Sequence, residues 1–219
     1  DDARLPAPEE IEKVLPLVDH RLVKTNPEDL SAGLPVKGMK IDLGGIAKGY
    51  AADQAAEALR EHGVTGAIIN LGGNIQTVGE KPDGSPWKIG VQDPASDRGD
   101  YVMILELADM SVVTSGAYER FFIGPDGRRY HHILDTAGGY PAESDVTSAT
   151  IVTRSSLLAD ALSTTVFALG RDRGMEFIET YEGVEGIFIT ADKKIFLSSG
   201  LADQSIPNRL SDKTYTLAQ

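Results

Sequence analysis

Three groups of residues in this chain have the types and spacing to do chemistry. The first is Asp42-Leu43-Gly44-Gly45-Ile46-Ala47-Lys48-Gly49. An apolar stretch, two glycines and an alanine-rich run read as a strand, a sharp turn and a helix start. Such a junction offers unpaired N–H groups and the positive end of a helix dipole to an anion such as phosphate. Lys48 adds a full positive charge, although the same glycines would also serve a plain tight connection. The second group lies in the stretch 155–169, whose one charged side chain is Asp160, with Thr164 one helical turn further on the same face. An ionised carboxylate on so apolar a helix needs a partner. Carboxylate and hydroxyl are hard oxygen ligands suited to Mg²⁺, which keeps waters and takes its remaining contacts from phosphate. A narrow solvent stripe or an arginine partner would account for Asp160 as well. The third group is Tyr130-His131-His132-Ile133-Leu134-Asp135, where strand alternation puts His132 and Leu134 on one face and His131 and Asp135 on the other. A strand-end histidine beside an aspartate has the ordinary chemistry of a general base. An exposed histidine pair on an edge strand fits equally.

Several familiar machines are disfavoured. A Walker A loop needs its lysine after the closing glycine, whereas Lys48 precedes Gly49. Neither the turn at 44–45 nor Leu71-Gly72-Gly73-Asn74 has the G-x-G-x-x-G spacing of a dinucleotide fold. Ser115, in Thr114-Ser115-Gly116-Ala117-Tyr118-Glu119-Arg120, lacks the G-x-S-x-G frame and following helix of a hydrolase nucleophile, so a Ser115–His132 pair ranks low. The small residues of that loop would instead suit backbone contacts to a ligand. The chain has no cysteine, which removes disulfides, thiolate metal sites and thiol nucleophiles. Its net charge of −12 argues against nucleic acid or an anionic membrane surface as the main partner. With 219 residues, 41% of them hydrophobic, it has material for one domain with a real core, and no apolar run is long enough to span a membrane. It opens Asp1-Asp2-Ala3-Arg4 without methionine and is expected to be a processed or trimmed product.

The elements expected to position these groups run as follows. A helix opens at Pro8 and ends near residue 17, 20–24 is extended, and 39–43 is a strand. A helix over 46–62 shows Ala51, Ala55 and Leu59 on one face and stops at Gly63, and a buried strand covers 67–71. The stretch from 75 to 134 reads as strands at 75–78, 87–92, 101–107, 111–114, 120–123 and 128–134, with Pro-Asp-Gly hairpin turns at 82–84 and 125–127. A strand over 146–153, helices over 155–169 and 171–181, and a hairpin over 184–197 complete the chain. Runs of strands with inserted helices give an α+β fold with mixed and antiparallel sheets.

Six ordered motifs resemble the ApbE family of FAD:protein FMN transferases: 42–53, Asn70-Leu71-Gly72-Gly73-Asn74, Gly90-Val91-Gln92-Asp93-Pro94, 114–119, His132-Ile133-Leu134-Asp135 and Ala159-Asp160-Ala161-Leu162-Ser163-Thr164. Their spread over nearly the whole chain makes the resemblance specific, and it implies one flavin-transferase domain over 1–219. It implies binding of FAD and, with Mg²⁺, cleavage of its pyrophosphate. FMN then passes to a threonine hydroxyl of an acceptor protein, such as a subunit of a membrane redox complex, and AMP is released. Two alternatives are a pyrophosphatase giving FMN and AMP, and a non-catalytic FAD-binding module. Carried onto this sequence, Asp42, Lys48 and the backbone at Leu134 match flavin-nucleotide contacts. Asp160, Thr164 and the Gly45 carbonyl match the metal ligands, and His132 matches the catalytic histidine. The resemblance also implies an exported, periplasmic or lipid-anchored location. Two departures stand out. Asp135-Thr136 replaces an Asp-Pro step, and the family's segment upstream of this beginning, which contributes flavin contacts, is expected to be missing.

Overall fold

A computed structural model describes residues 4–96, 99–118 and 120–218. In chain order the elements are α1 (Pro8–Val14), β1 (Lys24–Asn26), β2 (Ser31–Gly33), α2 (Ala47–Glu61), β3 (Gly66–Leu71), β4 (Asn74–Gly79), β5 (Trp87–Gln92), β6 (Tyr101–Leu107), β7 (Ser111–Gly116), β8 (Phe121–Ile123) and β9 (Arg129–His131). Then follow β10 (Val146–Thr153), α3 (Ser156–Leu169), α4 (Arg171–Ile178), β11 (Glu185–Thr190), β12 (Lys194–Leu197), α5 (Ser199–Ala202), β13 (Asn208–Leu210) and β14 (Thr216–Ala218). The fold is α+β, as expected. Its contacts divide it into two units, 1–43 with 120–142 and 44–119 with 143–219.

The larger unit is built on a seven-stranded sheet in the order β14-β12-β11-β10-β7-β4-β3, antiparallel except for the β12–β14 pair. Alternation along β7 and β10 gives this sheet two different faces. Val112 and Val152 join a fully apolar cluster with Ile89, Val91, Met103 and Leu105 of the three-stranded sheet β13-β6-β5. Ser115 and Asn74 lie on the other face and bond to α3. That helix is therefore buried on residues of mixed character, Ala159, Asp160, Leu162, Ser163, Val166 and Phe167.

The smaller unit contains α1 and two hairpins, β1–β2 and β8–β9. In β8–β9 the turn at Pro125-Asp126-Gly127 closes as its sequence demands. Gly124 N–H donates to the Arg128 carbonyl at 2.8 Å, and Gly127 takes φ +76°. Phe122 stacks on Tyr130, their ring centroids 5.4 Å apart.

Several expectations need correction. Residues 39–43 form no strand, since no described segment pairs with them, and Ile41 and Leu43 are about half exposed. The 67–71 strand is an edge strand with Ile68 45% exposed rather than a buried one. Residues 20–22 make a 3₁₀ turn, because the Asp19 side chain caps them through Arg21 N–H at 3.0 Å. The Pro82-Asp83-Gly84 turn joins β4 and β5, which lie in different sheets, so it is a corner and not a hairpin. On α2 the buried residues are Gly49, Ala52 and Ala56, one position off the expected Ala51 and Ala55. The α2 helix does stop at Gly63, in the left-handed conformation with Val64 N–H reaching the Leu59 carbonyl at 3.0 Å.

Candidate functional site

The larger unit brings the glycine turn and the Asp160 helix together through a pair of crossed caps. Helix α2 begins after Ile46, which has no side chain able to cap it, so its first amides need acceptors from elsewhere. Asp160 of α3 supplies one: Gly49 N–H donates to its Oδ2 at 2.8 Å. In return Asp53 of α2 closes the start of α3, accepting from Ser156 N–H at 2.7 Å, Leu157 N–H at 3.0 Å and the Ser155 hydroxyl at 3.0 Å. Each carboxylate sits where the other helix's dipole favours negative charge. Gly49 makes the crossing possible, because a Cβ there would lie 2.3 Å from the Ser156 carbonyl oxygen and 2.7 Å from Leu157 Cα.

Asp160 is 5% exposed. Burial pushes its carboxyl above the usual aspartate range, against the opposing pull of the Gly49 amide and the Lys48 charge. Among the described residues no lysine or arginine forms an ion pair with it, which removes the arginine explanation, and its burial removes the solvent-stripe one. A buried carboxylate met by one amide and no cation is a group with unused capacity for a positive ligand.

Thr164, half-buried one turn along α3, bonds through Oγ1 to Ser115 Oγ on β7 at 3.1 Å, and Ser115 also meets Ser163 Oγ at 2.9 Å. Asn74 fixes the other end of α3 by accepting from the Ser156 hydroxyl at 2.7 Å. Gly45 sits in the exposed turn just before α2, with no atom within 4 Å of where a Cβ would stand. Asp160, Thr164 and the peptide carbonyls of that turn all offer oxygen, and among the described residues no group of three His, Cys, Asp or Glu could hold a metal ion. That set fits a hard cation such as Mg²⁺.

The remaining expected residues, Asp42, His132 and Leu134, belong to the smaller unit. Asp42 is exposed just before the turn. His132 is exposed just past β9, and both its backbone N–H and its Nδ1 reach the Arg120 carbonyl at 3.2 Å. A carbonyl can only accept, so the proton resides on Nδ1 and the Nε2 lone pair is left for a substrate proton. Asp135, expected on the opposite strand face from His132, does not contact its ring in any bond described. That carboxylate accepts from Ala137 N–H at 3.1 Å and Gly138 N–H at 3.0 Å and shapes its own loop. Leu134 is bridged to Pro141, and the hydrogen bonds around the bridge belong to Ile133, Asp135, Tyr140 and Ala142. Its own peptide groups take no part in them. His131, by contrast, is half-buried, and desolvation lowers its pKa.

Two motifs turn out to be structural at their most prominent residues. Asp93 is 4% exposed and accepts from the Tyr215 hydroxyl at 2.5 Å, Ala95 N–H at 2.8 Å and Ser96 Oγ at 3.1 Å. Ser115 is no nucleophile, being engaged with Ser163 and Thr164, and the 114–116 backbone is paired with β10 rather than open to a ligand. Glu119, part of the same motif, lies outside the described residues. Asp53, Gly49 and Ser163 stood inside recognisable motifs without an assigned task. The signal for Asp53 was its place one turn beyond Gly49 on the same helix face.

Comparison with known proteins gives a consistent result. The ApbE family model matches residues 1–188. The FAD:protein FMN transferase of Treponema pallidum is 38% identical over 218 residues, covering 93% of this chain and 60% of that protein. The enzyme of the same name from Klebsiella pneumoniae is 41% identical over 186 residues, 82% and 57% of the two chains. Among solved structures, the ApbE protein of Thermotoga maritima superposes with TM-score 0.83 at 36% identity over 92% of this chain and 64% of its own. The Vibrio cholerae flavin transferase ApbE gives 0.80 at 28% identity, with 93% and 64% covered. The chain thus spans about 60% of the length of these curated relatives. On the match of motif, fold and sequence, this chain belongs to the ApbE family.

Proposed function

We propose that the chain transfers the FMN half of FAD to a threonine hydroxyl of an acceptor protein in a Mg²⁺-dependent reaction that releases AMP. The observation that carries this reading is the buried Asp160 carboxylate, without an ion pair among the described residues, bonded to the start of α2 and one helical turn from Thr164. Family relatives named for this activity support it. Asp160, Thr164 and the Gly45 carbonyl would hold the Mg²⁺, whose charge offsets that of the pyrophosphate and makes its phosphorus more electrophilic. Lys48, on the first turn of α2, and Asp42 would contact the nucleotide, with the backbone at Leu134 providing another contact.

His132 acts as the base. Its Nε2 takes the proton from the acceptor hydroxyl as the oxygen forms a bond to the phosphorus on the FMN side, and the bridging P–O bond breaks with its electron pair leaving on AMP. Positioning dominates such reactions, and general-base help contributes roughly 10²–10⁴ in rate. For His132→Ala we expect FMN transfer to fall by that factor of about 10²–10⁴ with FAD affinity retained. Parent-like transfer, read by mass spectrometry of the acceptor, would give the base role to another group. Water accepted in place of the threonine would make the protein an FAD pyrophosphatase, seen as free FMN with AMP and no adduct. FAD bound and left intact would make it a flavin-binding module.

The acceptor is proposed to be a subunit of a membrane redox complex, and the site of action the outer side of the bacterial cytoplasmic membrane. The support for both is the family resemblance. Recovery of the protein from the cytoplasmic fraction of its cell would contradict the second. No helix of the described residues is long and apolar enough to cross a membrane.

A further inference from the structure

We infer that Ser115 is a positioning residue for the cation, setting through a one-way chain of hydroxyl protons which way Thr164 presents its oxygen. The inference rests on the reading of Asp160 and Thr164 as ligands. Four groups are linked in series: Thr164 Oγ1 to Ser115 Oγ at 3.1 Å, Ser115 Oγ to Ser163 Oγ at 2.9 Å, and Ser163 Oγ to the Asp160 backbone carbonyl at 3.0 Å. Each hydroxyl has one proton to give and two lone pairs to receive with. The Asp160 carbonyl can only accept, so Ser163 spends its proton there. The Ser115–Ser163 bond must then be donated by Ser115, which leaves Ser115 only as an acceptor toward Thr164. Thr164 therefore donates its proton to Ser115, away from any cation, and keeps its lone pairs for coordination.

Geometry makes this polarity hard to reverse. Ser163 is fully buried on the sheet side of α3, so its proton has no water to turn to. Ser115 stands on β7 in register with Ala149 of β10, inside the seven-stranded sheet, and cannot follow a shift of the helix. The acceptor that aligns the ligand thus sits on an interior strand of the seven-stranded sheet. Groups that orient a metal ligand typically change metal affinity by about 10–100-fold when removed.

The test is titration of the chain with Mn²⁺, followed by the electron paramagnetic resonance signal of the free ion, in four variants with their thermal unfolding midpoints. Ser115→Ala is expected to bind Mn²⁺ about 10–100-fold more weakly than the parent. Ser163→Ala is expected to lose clearly less, because Ser115 can still accept from Thr164 when Ser163 is gone. A purely structural role would give the reverse order, since Ser163 is the more deeply buried of the two. Ser115→Cys, close in volume with a weakly accepting thiol, is expected to fall between parent and Ser115→Ala, and it is the variant to read if Ser115→Ala does not fold. Parent-like Mn²⁺ binding in the folded Ser115 variants, or an equal or larger loss in Ser163→Ala, would overturn the inference. Asp160→Asn separates the two levels. If it binds Mn²⁺ like the parent, the cation site itself fails and this inference with it; if it loses binding while Ser115→Ala does not, only this inference fails.

Discussion

Asp160→Asn is expected to abolish Mg²⁺-dependent turnover, by on the order of 10³-fold or more, while leaving the folded chain at least as stable as the parent in the absence of metal. The first half follows from removing the charged oxygen from the proposed ligands of a hard cation, an interaction worth several kcal/mol at about 1.4 kcal/mol per tenfold in rate. The second follows from burial. Asp160 is 5% exposed and has no ion-pair partner among the described residues, so without added metal its charge is a cost rather than a gain. The asparagine carbonyl still accepts from Gly49 N–H. Asp160→Ala should lose turnover equally but also some stability, about 1–3 kcal/mol, because that amide would then be orphaned. Urea unfolding with and without Mg²⁺ alongside turnover would decide. Full Mg²⁺-dependent activity in either variant would remove Asp160 from the metal site.

Gly49→Ala should be strongly damaging, because it strikes the contact between α2 and α3. Its methyl would meet backbone atoms at 2.3 and 2.7 Å, the Ser156 carbonyl oxygen and Leu157 Cα, and backbone cannot step aside as a flexible side chain can. Helices α2 and α3 would have to separate, breaking the Asp160 and Asp53 caps together. We expect a loss of about 2–3 kcal/mol, which for a chain of this size is roughly 5–10 °C in melting temperature, along with weakened Mg²⁺ dependence. Gly45→Ala is the comparison. Nothing lies within 4 Å of its Cβ position and its φ is not left-handed, so it should leave stability nearly unchanged. A melting temperature for Gly49→Ala within a degree or two of the parent would show that the helix crossing is looser than described.

Much of the candidate site was legible in the sequence because its residues are locally anomalous. Asp160 stands alone as a charge on an apolar helix, and its burial, with no ion pair among the described residues, removes the solvent-stripe and arginine readings. The strands at 87–92, 101–107 and 146–153 were read to the residue because β-branched and aromatic runs end at turn residues there. What escaped depended on partners distant in sequence. No local pattern says that 39–43 will lack a neighbour to pair with, or that β4 and β5 enter different sheets after a good turn. The crossed caps join residues more than 100 positions apart, and the hydroxyl chain joins β7 to α3 across nearly 50. His132 was legible as a candidate base, but the group that orients its ring was not. The adjacent Asp135 folds back on its own loop, and the carbonyl that holds the ring comes from Arg120 across the hairpin.

The most direct test of the central claim is to incubate the chain with FAD, Mg²⁺ and a threonine-bearing acceptor protein, with a chelator in a parallel tube. The protein is then weighed by mass spectrometry and the nucleotides are separated. The account predicts an acceptor heavier by one FMN phosphodiester, AMP released in equal amount, and neither product when the metal is chelated. An acceptor of unchanged mass with FAD consumed to free FMN, or with FAD intact, would contradict it.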